Sequence, residues 1–141
     1  MADPRKTTDY EGIDYIGETF AFDNTIVFDK TKAGGSVSVG LAVTETGNRQ
    51  VGLVADAQRV LGRLQSVDAD GFCTVQTGGG CALPGGTGAA LTAGSRIVGA
   101  LLVAAKGYIR NAAATAAEDL VAAHDIRDAS VSTAVKVMLA K

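Results

Sequence analysis

The residues best suited to chemistry are few, and each falls short of the pattern its chemistry needs. Gly80-Cys81-Ala82-Leu83-Pro84-Gly85-Gly86-Thr87 has the glycine spacing of a phosphate-cradling loop followed by a hydroxyl residue. Such a loop needs a lysine to balance the β and γ phosphates, and Gly86 stands in its place. Ser66, Asp68, Asp70 and Gly71 fall at positions one, three, five and six of a calcium loop, but position twelve is Thr77 instead of a bidentate glutamate. The simpler reading there is an Asp-Gly hairpin turn. His124 is the only histidine, which excludes a metal centre built on several imidazoles. With Asp125 it could orient a nucleophile such as Cys73 or Ser130, yet no spacing brings these residues together. The plainer expectation puts His124 in the last turn of a helix, where a partly positive ring suits the negative end of the dipole. Glu118 and Asp119 read as solvated carboxylates on a helix face. Cys73 and Cys81 lack the CxxC spacing of a redox or zinc site. They read as two reduced, buried thiols, close enough for a disulfide only if Thr77 to Gly80 forms a turn. The expectation is therefore no catalytic residue, no cofactor, no metal and no enzymatic activity.

The composition points the same way. The chain has 141 residues, enough for one domain with its own core. Hydrophobic residues make up 47% of it, but aromatics only 5%, so Ala, Val and Leu must fill the core. Glycine is abundant at 18 and proline scarce at 2, a profile of strands joined by tight turns and unlike that of a disordered chain. The net charge is −2, and Lys and Arg are scattered, with no cluster beyond Arg5-Lys6 or Lys30 and Lys32. A phosphate-binding protein shows a basic stripe, so nucleic acid is not expected as a partner. The start is polar, without the apolar run of a secretory signal. The longest apolar run, Ile97 to Ala105, is about half of what a membrane helix needs. No membrane partner is expected, and the chain reads as a soluble product of the cytoplasm.

Three stretches follow along the sequence. Residues 1–32 are charge-dense and hold five of the seven aromatics: Tyr10, Tyr15, Phe20, Phe22 and Phe28. Residues 1–16 read as a flexible arm ahead of a single β-rich domain over 17–141. Asp9 to Tyr15 alternates acidic and apolar groups, as an extended segment that adds to a partner's sheet edge would; the aromatics could equally cover the domain's own core. Glu18 to Phe28 predicts two short strands with a turn at Asp23-Asn24. In the β-rich body, Ser36 to Val43 alternates strictly, with Val37, Val39, Leu41 and Val43 on one face. Thr46-Gly47-Asn48 predicts a turn, and Gln50 to Ala55 and Gln58 to Val67 predict strands. Asp70-Gly71 before Phe72 to Val75 signals a hairpin. Thr77 to Gly88 reads as a glycine-rich loop packed on the body or on another subunit. Strands are expected at Arg96 to Val103 and Gly107 to Arg110. Ala112 to His124 is the one expected helix, carrying the capping box Thr115-Ala116-Ala117-Glu118. Val131 to Leu139 closes the chain as an alternating strand.

Several of these segments resemble the capsid decoration (cement) proteins of tailed bacteriophages. They are strand–Asp70-Gly71-Phe72–strand, Leu83-Pro84-Gly85 in the glycine-rich stretch, Leu91 to Gly99, Lys106 to Ile109, the Ala-rich helix and the closing Val135 to Leu139. The resemblance spans residues 34 to 141. It implies a compact β-barrel or β-tulip body with one short Ala-rich helix and an extended amino-terminal arm. It implies homotrimers, or copies at three-fold points, clamping major capsid protein subunits from the outside of the virion shell. The residues then expected at the capsid or subunit interface are Tyr10, Ile13, Tyr15, Ile16, Leu83, Pro84 and Gly85. Other roles compatible with the same chain are a head–tail joining or tail-tube subunit, a small ligand-binding β-barrel, and an enzyme using Cys73 or Cys81.

Overall fold

The computed structural model describes residues 15–87 and 90–140. It is mainly β, as expected, with one short helix. In chain order the elements are β1 (Ile16–Phe22), β2 (Ala42–Gly47), β3 (Gln50–Leu53), β4 (Gly62–Val67), β5 (Phe72–Leu83), β6 (Arg96–Leu102), β7 (Ala105–Asn111), α1 (Ala116–Val121), β8 (Ala123–Asp128) and β9 (Val135–Leu139). The strands form one nine-stranded sheet in the order β1-β3-β2-β4-β5-β9-β8-β6-β7, and β1 pairs again with β5.

That second pairing turns the amino-terminal half into a partial ring, β1-β3-β2-β4-β5 and back to β1. Its thin seam is β1 against β3, parallel over Ala21–Gln50 and Phe22–Val51. The carboxy-terminal half makes a second partial ring. β5 passes to β9, β8, β6 and β7, and the chain just beyond β5 bridges back to β7 at Gly85–Ile109. Strand β5 belongs to both. Phe72 to Gly78 pairs with β1, Gly79 to Leu83 pairs with β9, and Gly79 carries a φ of 88° between them.

Each ring encloses its own apolar cluster. The first holds Ile26, Val43, Val51, Leu64, Val67, Cys73 and Val75, with Phe20 and Phe22 packed against it. The second is larger: Val54, Val60, Leu83, Ile97, Ile109, Ile126, Val135 and Val137 are all at 0% exposure. Full burial of such side chains is worth about 1.5–3 kcal/mol each. A strand running between two cores is covered on both faces, so β5 loses the alternation of a half-buried strand. Residues Val75 to Cys81 are buried without interruption.

Several expectations from the sequence need correction. The glycine-rich stretch from Thr77 to Leu83 is strand, not loop. The alternating run Ser36 to Val43 is not a strand before Ala42. Ser36 and Ser38 are buried and Val37 is 76% exposed, the reverse of the expected faces. There the Ser36 hydroxyl accepts the Ser38 amide and Gly40 takes a φ of 95°, so local turns win over periodicity. The second strand expected before Phe28 is absent; the Asp23 carboxylate accepts the Thr25 amide and holds the chain in a turn. The strand expected from Gln58 starts at Gly62, and the closing strand starts at Val135, with Val131 exposed. The helix spans six residues instead of thirteen, and His124 lies in β8 beyond it.

Close approach explains the glycines. A Cβ on Gly62 would sit 1.8 Å from the Gln76 carbonyl oxygen, and one on Gly99 would sit 2.3 Å from that of Ala55. These are backbone atoms that cannot swing aside. Gly62→Ala is therefore expected to force β4 away from β5 and to cost at least about 3 kcal/mol, or to abolish folding. Urea unfolding followed by circular dichroism measures this; a loss below about 1 kcal/mol would show that the two strands separate easily.

Candidate functional site

The kink at Gly79 creates a polar problem. Past it, β5 is paired with β9 along one edge. The Gly78, Gly80 and Ala82 carbonyls need other donors, since a buried carbonyl left bare costs about 1–3 kcal/mol. Side chains supply them. Gln76, only 2% exposed, donates Nε2 to Gly78 O at 3.1 Å and to Gly80 O at 3.0 Å. Arg63 Nε donates to Ala82 O at 3.1 Å. The three side chains are linked in turn: Arg63 Nη1 donates to Gln65 Oε1 at 2.9 Å, and Gln65 Nε2 to Gln76 Oε1 at 2.7 Å. Arg63 and Gln65 are alternate residues of β4, and β4 register sets Arg63 opposite Gln76.

This network borders a cavity of about 310 Å³, closed by Tyr15 on one side and by Gly80 to Ala82 on another. It is open to solvent through the half-exposed Tyr15. Its carbonyl and amide acceptors each already receive an N–H, while the guanidinium carries more N–H groups than these bonds consume. No carboxylate among the described residues forms an ion pair with Arg63.

A second feature is apolar. Strands β6 and β7 are joined by Val103 and Ala104 between the paired residues Leu102 and Ala105. Val103 has a φ of 60°, while Ala104 is not in the positive-φ region. That combination matches a type II′ turn, whose first central position favours glycine. A β-branched residue there is strained by about 1–2 kcal/mol. Val103 is also 91% exposed, and Leu102 beside it is 43% exposed. Thr87 braces this tip: its amide donates to Leu101 O at 2.8 Å, and its hydroxyl receives the Val103 amide at 3.5 Å.

The residues singled out from the sequence are dispersed. Tyr10 and Ile13 lie outside the described residues. Tyr15 and Ile16 are 49% and 40% exposed. Ile16 is already strand, opposite Gly78, so the extended body begins inside the segment expected to be an arm. Leu83 is fully buried in the second core and presents no surface to a partner. Pro84 and Gly85 are partly buried and bonded inward: Ile109 N donates to Pro84 O, and Gly85 N to Ser132 O. Only Tyr15 shares the cavity with the polar network.

The weighed chemical groups also find structural places. His124 is 4% exposed with a φ of 65°. Its Nδ1 accepts the Ala140 amide at 2.9 Å, so the proton is on Nε2, which donates to Val60 O at 2.7 Å. Glu118 is partly exposed but held in place: it receives Arg110 Nη1 at 2.6 Å and the Ala113 amide at 3.1 Å. The adjacent Arg110 guanidinium holds its carboxyl below the usual glutamate range. The capping hydroxyl of Thr115 does receive the Glu118 amide, as the sequence pattern predicts. Asp119 pairs with Arg96. Cys73 and Cys81 are both buried in β5, one in each half, on the order of 20 Å apart by strand rise and far beyond disulfide reach. Burial pushes the Cys73 thiol up to about 11, leaving little thiolate near neutrality. Among the described residues, no group of three His, Cys, Asp or Glu stands close enough to share a metal ion.

The sequence held no signal for the network, because Arg63, Gln65 and Gln76 look like ordinary polar strand residues. Comparison with protein-family models, curated proteins and solved structures finds no match to the chain.

The His124 geometry has a pH consequence. Burial, with Arg59 nearby, depresses its pKa, and the Val60 carbonyl and Asp125 oppose this only partly. A proton on Nδ1 would turn it from acceptor into donor against the Ala140 N–H. The unfolded chain, with a pKa of about 6.5, then binds a proton that the folded chain refuses. The His124 contribution is full above that value and declines as pH falls below it. Thermal unfolding between pH 7.5 and 5 should show this decline, and His124→Asn, which tolerates the backbone angle, should flatten it. An unchanged slope in the variant would assign the decline elsewhere.

Proposed function

We propose that the chain is a structural subunit that works by docking on other proteins, and specifically that it binds the outside of a phage capsid and stabilises contacts between major capsid protein subunits. The observation that carries the docking reading is the β6–β7 tip. An isolated domain gains nothing from holding a valine in a strained turn with its side chain in water. Strain of this kind persists where a partner uses the geometry. Single exposed apolar residues elsewhere, such as Leu120, are ordinary; the tip differs because the exposed positive-φ residue is apolar and β-branched, whereas that of the β2–β3 hairpin is the polar Arg49. The capsid as partner rests on the resemblance of residues 34–141 to decoration proteins. A cement needs many modest contacts repeated over a lattice, where avidity supplies the strength, and a small apolar knob suits such a contact.

The test is binding of the purified chain to phage heads assembled without it, read by electron cryomicroscopy. Density at three-fold positions with the β6–β7 tip against the shell is the expected result. Bare shells at saturating protein would end the capsid reading. Val103→Gly separates docking from folding. Relief of strain should raise stability by up to about 1 kcal/mol, or about 3–5 °C in Tm, while shell occupancy falls at least several-fold. Full occupancy by the stabilised variant would remove the tip from the interface.

A further inference from the structure

We propose that the Arg63 cavity is a binding site for a carboxylate on a short aliphatic stem. This stands apart from the capsid reading, because that rests on the β6–β7 tip and this on the β4–β5 network. Among the described residues, the one charged side chain lining the cavity is a donor, Arg63, and no carboxylate lines it. Gly78 O, Gly80 O, Ala82 O, Gln76 Oε1 and Gln65 Oε1 are each taken by an N–H of the network. Each of these oxygens keeps a second lone pair, but the one charge left over is positive, on Arg63, whose guanidinium has N–H groups to spare.

The guanidinium is held in place from two directions, through Nε to Ala82 O and through Nη1 to Gln65. Its plane is fixed before any ligand arrives, so a carboxylate gains directional charge-assisted bonds at little entropic cost. Gly40, at a φ of 95°, lies beside Arg63 Nη2 without pressing on it: a Cβ there would stand 3.4 Å away, an ordinary contact. The Tyr15 ring and the Ala82 methyl give the cavity an apolar side for a stem of two or three carbons. Its volume of about 310 Å³ admits a group of that size. A metal cation is ruled out by the arginine, and a phosphate would call for further cationic groups that the lining lacks.

The same chemistry is offered by a free carboxylic acid and by the side chain of an acidic residue on another protein. Sodium propionate and its neutral isostere propionamide test the site itself, with the full chain observed by ¹H–¹⁵N NMR. Propionate should give saturable shifts, in the millimolar range, at the Arg63 Nε–H and the Gly80 and Ala82 amides, and propionamide should not. Arg63→Gln should lose at least tenfold in affinity, and Arg63→Lys, which keeps the charge without the fork, should fall between. Equal responses to the two compounds, or an unaltered response in a folded Arg63→Gln, would overturn the proposal. Should Arg63→Gln fail to fold, the propionate–propionamide difference and Arg63→Lys still decide it. Acetyl-Gly-Glu-Gly-amide against its Gln analogue separates the two sources. Tighter binding of the Glu peptide than of propionate assigns the site to an acidic protein side chain, and equal or weaker binding assigns it to a free acid. A failed capsid assay would leave all of these results standing.

Discussion

The structure depends on one strand serving two cores. β5 gives Cys73 and Val75 to the first cluster and Cys81 and Leu83 to the second. It bends between them at Gly79. Both faces are covered along its middle, so side chains must shrink to nothing where neighbours press closest. A Cβ on Gly78 would reach 2.8 Å from the Ile16 side chain. Gly78 thus answers a packing contact with Ile16, and Gly79 a conformational need. With few aromatics in the chain, the two clusters are built from aliphatic side chains, and the strand common to both unites them.

The bend dictates the polar network. Backbone carbonyls displaced from a ladder cannot be left bare inside a protein. Gln76 spends its amide on two of them and Arg63 its Nε on a third. Once these side chains are committed to the backbone they are rigid, since moving either would expose a buried acceptor. A fixed guanidinium with donors to spare is therefore a by-product of how β5 is satisfied. The same logic secures the carboxy-terminal ring. His124 joins Val60 to Ala140, and Arg110 ties α1 through Glu118 to β7 and reaches Asp56 at 3.0 Å.

Much of the body is legible in the sequence where local chemistry and long-range packing agree. Asp70-Gly71 sets the β4–β5 hairpin, with Gly71 at a φ of 93° and the Asp70 carboxylate receiving the Phe72 amide. Thr115 caps α1. Val135, Val137 and Leu139 face inward as their alternation predicts. The failures come where packing overrides local preference. A run of three glycines reads as a loop unless one knows that both faces will be covered. Ser36 and Ser38 turn inward because the Ser36 hydroxyl and the Ser38 amide close a turn, which a hydrophobic pattern cannot register. Arg63, Gln65 and Gln76 carry no motif, since what unites them is strand register. Val103 sits within the apolar run Ile97 to Ala105 and reads as strand; only the pairing of Leu102 with Ala105 reveals a turn.

The two candidate sites are mechanically related through β5. The chain leaving β5 bridges to β7 at Gly85, continues to Thr87, and there holds the β6–β7 tip by its amide and hydroxyl. The tip is therefore anchored to the same strand whose carbonyls fix Arg63. Neither site sits on a free loop, and neither needs large rearrangement to be presented. Preorganisation of this kind lowers the ordering cost of each contact. A chain with a modest core has little stability to spend on strain, about 5–15 kcal/mol for a typical domain. Strain at Val103 and a charge at Arg63 are two places where the fold departs from what its own stability favours; Arg49, Ala57 and His124 also hold positive φ. Val103 and Arg63 both lie at braced positions, and on the readings proposed above each would be relieved from outside: by an apolar contact at one and a carboxylate at the other.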